Sequence, residues 1–281
     1  YYDVRLKEWR LQQLENHPNA KNFYFEKLDI ENQESLKVLF KNQGPFDAVL
    51  NLAARAGVRY SMENPHVYLS TNAEGTLNLL ECMRENGCKK FVLASTSSLY
   101  AGQEMPFTED LAVNEPLSPY AASKKAGELM AYSYHKLYQM DVSVVRYFTV
   151  FGPAGRPDMS PYRFIKWIAE GETIQMFGDG SQSRDFTYVD DIARGTVAAI
   201  QDVGYEIINL GGGRNPVSLN TIIEKLEILI GEKAVIEHKP FHIADLMETW
   251  ADISKAKNLL GWEPKISLDE GLKKSVQWYM N

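Results

Sequence analysis

The sequence predicts an α/β fold built on a doubly wound parallel sheet. Short apolar runs alternate with helix-like patterns through the first half of the chain. Two of these runs, at residues 48–53 and 91–94, are nearly continuous, which is typical of strands buried on both faces. Alternation of strands and helices favours parallel pairing through helical crossovers. Because such sheets bind ligands at the carboxyl ends of their strands, the residues that follow each strand are candidate site residues.

The elements follow in order along the chain. We predict strands at 23–29, 48–53, 91–94 and 142–147, and helices at 5–14, 33–42, 68–86 and 119–138. Beyond residue 151 glycine and proline become frequent and the elements shorten, with helices near 163–170, 189–201, 219–230 and 268–279. We therefore predict two domains. Residues 1–152 carry most of the sheet, and residues 153–281 form a smaller lobe interleaved with the last sheet elements.

Composition and charge exclude several classes of protein. The 281 residues are 44% hydrophobic and 24% charged, which excludes extended disorder, collagen and coiled coil. The net charge of −7 argues against binding to nucleic acid or to an anionic membrane, so an anionic ligand must be held by local arginines. No apolar run reaches the roughly 20 residues of a membrane-spanning helix. Two cysteines and five histidines without metal spacing predict neither a disulfide framework nor a metal site.

The candidate chemistry lies in one helix and the strand before it. Tyr120 and Lys124 are four residues apart, so they share a helix face. A lysine ammonium beside a tyrosine favours the phenolate and lowers a pKa that is ordinarily about 10. The hydroxyl-rich run 95–100 follows the strand at 91–94. Tyrosine and lysine are common in helices and serine is common in loops, but the two features together favour a catalytic site over chance.

With these residues the chain resembles the extended short-chain dehydrogenase/reductase superfamily, in the NAD-dependent epimerase/dehydratase branch that acts on nucleotide sugars. The resemblance covers essentially the whole chain. The motifs that carry it are Asp29-Ile30, residues 51–54, Asn72, residues 95–100, Tyr120 with Lys124, residues 146–148, 177–180, 184–186, 251–256 and 260–264. This set, in this order, is highly specific.

The resemblance implies a Rossmann-like sheet, NAD as cofactor, and a cytoplasmic homodimer formed through the two long helices. By the same resemblance the catalytic residues are Thr96, Tyr120 and Lys124. The implied cofactor-binding residues are Asp29, Ile30, Leu52, Ala53, Ala54, Asn72, Tyr120, Lys124 and Tyr147.

Three stretches, at 56–61, 148–153 and 155–159, are similar to those of UDP-glucuronate 4-epimerases. This likeness implies conversion of UDP-glucuronate to UDP-galacturonate through a transient 4-keto sugar. Thr149 stands where relatives that act on neutral hexoses usually have asparagine. Ser97 and Ser98 stand where sugar 4,6-dehydratases carry Asp-Glu, and decarboxylases usually carry glutamate at the second position. The implied substrate-binding residues are Arg59, Ser97, Ser98, Thr149, Arg156, Gln175, Arg184 and Asp245.

One family feature is absent from the sequence. The glycine-rich dinucleotide fingerprint does not occur, and we interpret the only glycine cluster, at 211–213, as a turn in the smaller lobe. The resemblance places the fingerprint upstream of residue 1, so we expect that the first βαβ unit is missing and that the natural gene product is longer. Three alternatives stay open: a UDP-glucose/UDP-galactose 4-epimerase, a UDP-glucuronate decarboxylase, and a non-catalytic truncated member of the family.

Overall fold

The computed structural model describes residues 2–214, 216–241 and 246–281. The helices are α1 (Val4–Glu15), α2 (Gln33–Gln43), α3 (Val58–Glu63), α4 (His66–Tyr68), α5 (Gly75–Asn86), α6 (Pro119–Tyr138), α7 (Ser160–Glu170), α8 (Val189–Ala198), α9 (Leu219–Ile230), α10 (Ser254–Leu260) and α11 (Leu268–Met280). The strands are β1 (Ala48–Asn51), β2 (Lys90–Thr96), β3 (Asp141–Tyr147), β4 (Thr149–Phe151), β5 (Thr173–Phe177), β6 (Ser183–Arg184), β7 (Phe186–Tyr188), β8 (Tyr205–Leu210), β9 (Val217–Ser218) and β10 (Val235–Lys239). A π-helical segment, Leu69–Glu74, joins α4 to α5, and short 3-10 turns occur at Ala20–Asn22 and Ser97–Tyr100.

A four-stranded sheet organises the first half of the chain. Its strands lie in the order β1-β2-β3-β8, and every pair is parallel. Thr96 of β2 is in register with Tyr147 of β3, which in turn pairs with Leu210 of β8. Three strands therefore end at one edge, and that edge is the predicted location of the site. The last strand, β8, follows residue 153 in sequence but belongs to this sheet.

The sheet is covered on both faces, which confirms the doubly wound prediction. Phe91 and Leu93 of β2 pack into a buried cluster with α2, α5 and α6. Val92, between them, points to the opposite face and packs with Ile192 of α8 and with Trp262. The alternation follows from the strand period of two residues, and it explains why the run at 91–94 is apolar throughout.

A second buried cluster lies in the smaller lobe. It joins α7, α9 and α11 to β5 through side chains such as Phe164, Ile174, Leu226 and Leu272. The two-stranded parallel sheet β10-β5 belongs to the same part of the chain. None of the helices in the described part of the chain is both long enough and apolar enough to cross a membrane.

Two predictions about strands were wrong. Residues 23–29 form no strand, and Phe23, Tyr24 and Phe25 are exposed. Within the described residues β1 pairs only with β2, so this extended segment has no neighbour with which to form a ladder of hydrogen bonds. For the same reason β1 is only partly buried before Asn51, and it ends there instead of reaching Ala53. The predicted helices 33–42, 119–138 and 219–230 are confirmed within one residue at each end.

Candidate active site

The carboxyl edge of the sheet positions the reacting side chains. The Ser118 hydroxyl caps α6 by accepting a hydrogen bond from the Ala121 amide at 3.1 Å, and Pro119 fills the first turn. The first two turns of α6 therefore carry Tyr120 and Lys124. Thr96 ends β2, and its Oγ1 accepts a hydrogen bond from the Ser98 amide at 3.1 Å. These local caps fix the backbone on both sides of the site.

Tyr120 lies between a buried aromatic ring and a hydroxyl. Its ring packs edge-on against Tyr68, with the centroids 6.0 Å apart. Tyr68 is fully buried, and its hydroxyl donates to the carbonyls of Ala56 and Gly57 at 3.0 and 2.9 Å. The Tyr120 hydroxyl is hydrogen-bonded to Thr96. The predicted catalytic tyrosine and its hydroxyl partner therefore meet in the folded chain.

Burial dominates the pKa of Tyr120. It raises this pKa above the ordinary value of 10.0, and the effect is opposed by the Thr96 hydrogen bond and by the positive charge of Arg156. Burial also acts on Lys124, where it lowers the pKa of the ammonium to about 8. The negative charge of Glu128, one turn further along α6, works in the opposite direction on that ammonium.

A buried ion pair lies beneath these residues. The Glu128 carboxylate accepts hydrogen bonds from Arg146 Nε at 2.9 Å, from Arg146 Nη2 at 2.8 Å and from Ser95 Oγ at 2.6 Å. Burial alone would raise the pKa of Glu128, but Arg146 and Ser95 hold it below its ordinary value. The remaining guanidinium nitrogen, Arg146 Nη1, donates to the Tyr100 hydroxyl at 2.8 Å. The side chains of Glu128 and Arg146 are each only 1% exposed.

The predicted cofactor residues separate into two groups. Leu52, Ala53 and Ala54 are exposed directly after β1, and Asp29 is exposed with its carboxylate accepting from the Glu31 amide at 3.0 Å. These four are accessible to a ligand.

The others are engaged within the chain. Ile30 packs into the sheet core, where a Cβ on Gly75 would lie 2.7 Å from its side chain. The Asn72 amide donates to the Arg55 carbonyl and to Ser123 Oγ, both at 2.9 Å, and accepts from the Arg55 amide at 2.8 Å. Asn72 thus fixes the path of the chain after β1.

Tyr147, the remaining member, lies at the end of β3. Its hydroxyl is 2.8 Å from Thr196 Oγ1, and burial raises its pKa to about 12. The side chain is therefore a neutral phenol that links the sheet to α8. At the end of β1, Asn51 donates to Thr76 Oγ1 at 3.2 Å, whereas its Oδ1 atom is buried with no hydrogen-bond partner among the residues that the structure describes. An unsatisfied buried acceptor of this kind indicates a missing donor.

The predicted sugar-end residues are close to the reacting pair or partly exposed. The Thr96 hydroxyl donates to Ser98 Oγ at 3.1 Å, and Ser97 and Ser98 are both partly exposed. Thr149 begins β4, pairs in register with Phe186 of β7, and is also partly exposed. The structure therefore brings a serine hydroxyl to the Thr96–Tyr120 pair.

The other predicted substrate-binding residues lie in α3 and in the smaller lobe. The Arg59 guanidinium lies 4.0 Å from the centre of the Phe177 ring. Arg184 donates to the carbonyls of Ser183 and Met247 at 2.7 and 3.2 Å. Gln175 donates to the Glu237 carboxylate at 2.7 Å. Asp245 lies outside the described residues.

One cationic residue was missed by sequence reasoning. Arg163 in the first turn of α7 stacks 4.2 Å from the Trp167 ring. Burial and the positive charge of Arg59 lower its pKa, whereas Asp158 acts in the opposite direction. Asp158 is itself bound by Arg156 Nε at 3.1 Å and Nη2 at 2.5 Å. Three arginines therefore share one region. A lone arginine in an apolar helix matches no motif, so only the folded chain shows the grouping.

The comparisons with known proteins agree with this geometry. The model of the NAD dependent epimerase/dehydratase family matches residues 5–211. A UDP-glucuronate 4-epimerase of Thermodesulfobacterium geofontis (strain OPF15) is 63% identical over 277 residues, which are 99% of this chain and 84% of that protein.

Solved structures extend the comparison to the fold. A UDP-glucuronic acid 4-epimerase from Bacillus cereus, in complex with UDP-glucuronic acid and NAD, matches with a TM-score of 0.90 at 38% identity, covering 99% of this chain and 87% of that one. A UDP-glucose 4-epimerase from Thermotoga maritima, with UDP-glucose, matches with a TM-score of 0.87 at 29% identity, covering 99% and 94%. These likenesses confirm the predicted Rossmann-like fold. The chain belongs to the NAD dependent epimerase/dehydratase family.

Proposed function

We propose that the chain is an NAD-dependent UDP-glucuronate 4-epimerase, which interconverts UDP-glucuronate and UDP-galacturonate. The observation that carries the proposal is the hydrogen-bonded Thr96–Tyr120 pair, joined by Ser98 on the substrate side. The substrate assignment is supported by the named activity of the relative that is 63% identical. Ser97 and Ser98 stand where related dehydratases carry Asp-Glu, and decarboxylases usually carry glutamate at the second position, so this resemblance favours chemistry at C4 of the sugar alone.

The residues at the edge of the sheet fit NAD. Lys124 offers a cationic donor and Tyr120 a hydroxyl, which suit the hydroxyls of a ribose. The exposed run 52–54, directly after β1, offers a small apolar surface for the cofactor. At the end of β1 the buried Asn51 Oδ1 can accept a hydrogen bond from it. When bound at these residues, NAD would supply reversible hydride transfer at C4 of the sugar, and the reaction would have no net redox change.

The chain's own residues handle the proton. Tyr120 takes the proton of the sugar 4-hydroxyl and later returns it, and Thr96 holds the same oxygen by a hydrogen bond. Because burial raises the pKa of Tyr120, the phenolate depends on positive charge in the cleft. Arg156 provides part of that charge. Lys124 provides a further positive charge only while its ammonium is protonated, and its pKa of about 8 makes this sensitive to pH.

The substrate carboxylate poses a chemical hazard. Oxidation at C4 of a glucuronate creates a β-keto acid, which readily loses carbon dioxide. An epimerase must therefore hold the carboxylate in a geometry that disfavours this loss. We assign that task to the hydroxyls of Ser97, Ser98 and Thr149, because hydroxyl donors form strong charge-assisted hydrogen bonds to a carboxylate. Neutral donors also leave the negative charge of the substrate uncancelled.

The nucleotide lies along the smaller lobe in this proposal. Arginine suits bidentate recognition of phosphate oxygens, so we assign Arg59, Arg156 and Arg184 to the diphosphate end. Gln175 is placed along the uracil and Asp245 at the uridine ribose, on the resemblance alone. We also propose the domain division 1–152 and 153–281, a homodimer, and action in the cytoplasm. The separate buried cluster of α7, α9 and α11 supports the division.

The test is an NMR assay of the full-length gene product with UDP-glucuronate and NAD⁺. We expect UDP-galacturonate with little UDP-pentose, and no turnover for the Tyr120→Phe variant. The control is Tyr24→Phe, an exposed tyrosine outside α6, which should leave the rate unchanged. Turnover of UDP-glucose but not of UDP-glucuronate would contradict the substrate assignment. Accumulation of UDP-pentose as the main product would contradict the reaction.

A further inference from the structure

The guanidinium of Arg10 connects the first helix, α1, to the smaller lobe by hydrogen bonds. Arg10 of α1 donates from Nε to the Ala154 carbonyl at 3.1 Å and from Nη2 to the Gly155 carbonyl at 3.3 Å, and Nη2 also bonds Ala154. Its remaining nitrogen, Nη1, donates to the Tyr2 hydroxyl at 2.7 Å. Ala154 and Gly155 follow Arg10 by 144 and 145 residues, so the contact joins distant segments of the chain. A planar guanidinium that binds two successive carbonyls fixes their direction as well as their distance.

The loop that Arg10 holds has little freedom of its own. Ala154 adopts a φ of 50°, a left-handed conformation that a residue with a Cβ disfavours. Gly152 has a φ of 153°, and a Cβ at that position would lie 2.5 Å from Val189 Cγ1. A strained backbone persists only when its surroundings hold it in place. The Arg10 hydrogen bonds to the carbonyl of the strained residue are the contacts that do so from α1.

A second contact fastens the same helix. The Trp9 ring packs edge-on against Trp278 of α11, with the centroids 5.6 Å apart. Trp278 and Gly155 also line one cavity together with Arg156, between the loop and α11. Neighbouring residues of α1 thus contact both the loop and the helix beside it. The helix therefore links the loop at 154–155 to α11.

We propose that α1 holds the 154–156 segment in place and so fixes the position of the Arg156 guanidinium, which makes Arg10 a positioning residue for the reaction. The inference rests on the proposed function. Arg156 directly follows the second carbonyl that Arg10 binds, and its other side is held by Asp158. Its positive charge acts on both Tyr120 and Tyr68, where it opposes the rise in pKa that burial causes. Asp158 also acts on Arg163, whose other charged neighbour is Arg59.

The test is a double-mutant cycle read by binding. Calorimetric titration with UDP-glucuronate is carried out on the wild type and on the Arg10→Ala, Arg156→Gln and doubly substituted proteins. We expect Arg10→Ala to weaken binding about tenfold, as a displaced binding group does. In the Arg156→Gln background the same change should have no further effect. The kcat/KM profile of Arg10→Ala should also move its acidic limb to higher pH, since Tyr120 loses a nearby positive charge.

Two controls separate positioning from a general loss of structure. Arg5→Ala removes another arginine of α1 that bonds only to Asp3 among the described contacts, and it should bind like the wild type. Arg10→Lys keeps the charge but cannot span two carbonyls, so it should recover only part of the affinity. Amide hydrogen exchange of a peptide covering 152–158 should be faster in Arg10→Ala and unchanged in Arg5→Ala. This readout needs neither substrate nor turnover.

The outcomes distinguish this inference from the proposed function. A wild type that binds UDP-glucuronate while Arg10→Ala binds equally well would overturn the positioning role of Arg10 and leave the epimerase proposal standing. Additive effects of Arg10→Ala and Arg156→Gln would also overturn it, because Arg10 would then act by another route. A wild type that binds no UDP-sugar at all would overturn the proposed function and this inference with it.

Discussion

The charge of Lys124 depends on how deeply the chain buries it. The side chain is 5% exposed, and burial lowers its pKa from 10.5 to about 8. At pH values between about 8 and 10.5, Lys124 is largely deprotonated in the folded chain but still protonated in the unfolded chain. The free energy of unfolding therefore rises with pH across this window, by about 3 kcal/mol in total. At neutral pH the buried ammonium therefore lowers the free energy of unfolding.

The rise of the free energy of unfolding with pH leads to a prediction for Lys124→Met. The variant lacks the buried ammonium, so at pH 7 it should be more stable than the wild type by up to about 3 kcal/mol, although it should not turn over substrate. The difference should shrink as the pH rises towards 10. Urea unfolding at several pH values measures it. Lys273→Met, which removes an exposed lysine of α11, is the control for the loss of a lysine at the surface. A growing advantage of Lys124→Met at high pH would contradict the assignment.

The hydroxyls at the sugar end give a second prediction at this scale. Thr149→Ala or Ser98→Ala removes a donor to the substrate carboxylate, so the 4-keto sugar should lose carbon dioxide more often. We expect the ratio of UDP-pentose to UDP-galacturonate, measured by NMR, to rise about tenfold for each loss of a charge-assisted hydrogen bond. Ser133→Ala, an exposed serine on α6, is the control. An unchanged ratio in both variants would show that other groups hold the carboxylate.

At the scale of elements, α6 shows how local sequence rules can position a site. Ser118 and Pro119 predict its beginning, and Gln139, with a φ of 56°, ends it in the left-handed conformation that follows many helices. Tyr120, Lys124 and Glu128 recur every four residues, so they share one face. Periodicity and capping are local properties, and for that reason the helix could be predicted from the sequence. The partner of Glu128, Arg146 on β3, could not.

The ion pair between these elements carries the third prediction. Glu128→Gln leaves the Arg146 guanidinium buried without a full countercharge, so it should lower the free energy of unfolding by about 3–5 kcal/mol. Glu206→Gln breaks the partly exposed pair with Lys255 and should cost less than about 1 kcal/mol. Urea unfolding of both variants at pH 7 gives the comparison. Equal losses would mean that the buried pair is no more important than one at the surface.

Strand prediction failed where pairing decides the outcome. The run Phe23–Phe25 has the composition of a strand, but a strand needs a neighbour for its backbone hydrogen bonds, and a single run carries no information about that neighbour. The run at 91–94 succeeded because the strands on both sides of it are present in the folded chain. Strands are therefore harder to predict from one sequence than a helix such as α6.

For the whole molecule, the residues that follow β2 and β3 predicted the edge of the sheet at which the proposed site lies. It did not reveal the contacts made across the molecule. Arg10 reaches Ala154, and Arg163 shares its surroundings with Arg59, through a fold that places distant segments side by side. No periodic pattern links such residues, because periodicity extends only over one helix or one strand. Motifs find the reacting groups, whereas the groups that position them come from tertiary structure.

The surface of the molecule leads to the last prediction. The outward side of α6 exposes several large apolar residues: Leu129, Met130, Tyr132, Leu137 and Tyr138. An apolar group of this size on one helix is typical of a protein interface, and we propose that a second copy of the chain covers it. Met130 and Leu137 are seven residues apart and so lie on one stripe.

The doubly substituted protein Met130→Glu/Leu137→Glu should shift from dimer to monomer in light scattering coupled to size-exclusion chromatography. Two buried carboxylates facing their copies across a twofold interface would be costly to desolvate. Ile228→Glu on α9 is the matched control, because Ile228 is 82% exposed in the other lobe and should leave the dimer intact. A wild-type protein that is monomeric, or a double variant that stays dimeric, would contradict an interface on α6. A dimer lost with Ile228→Glu alone would move the interface to the smaller lobe.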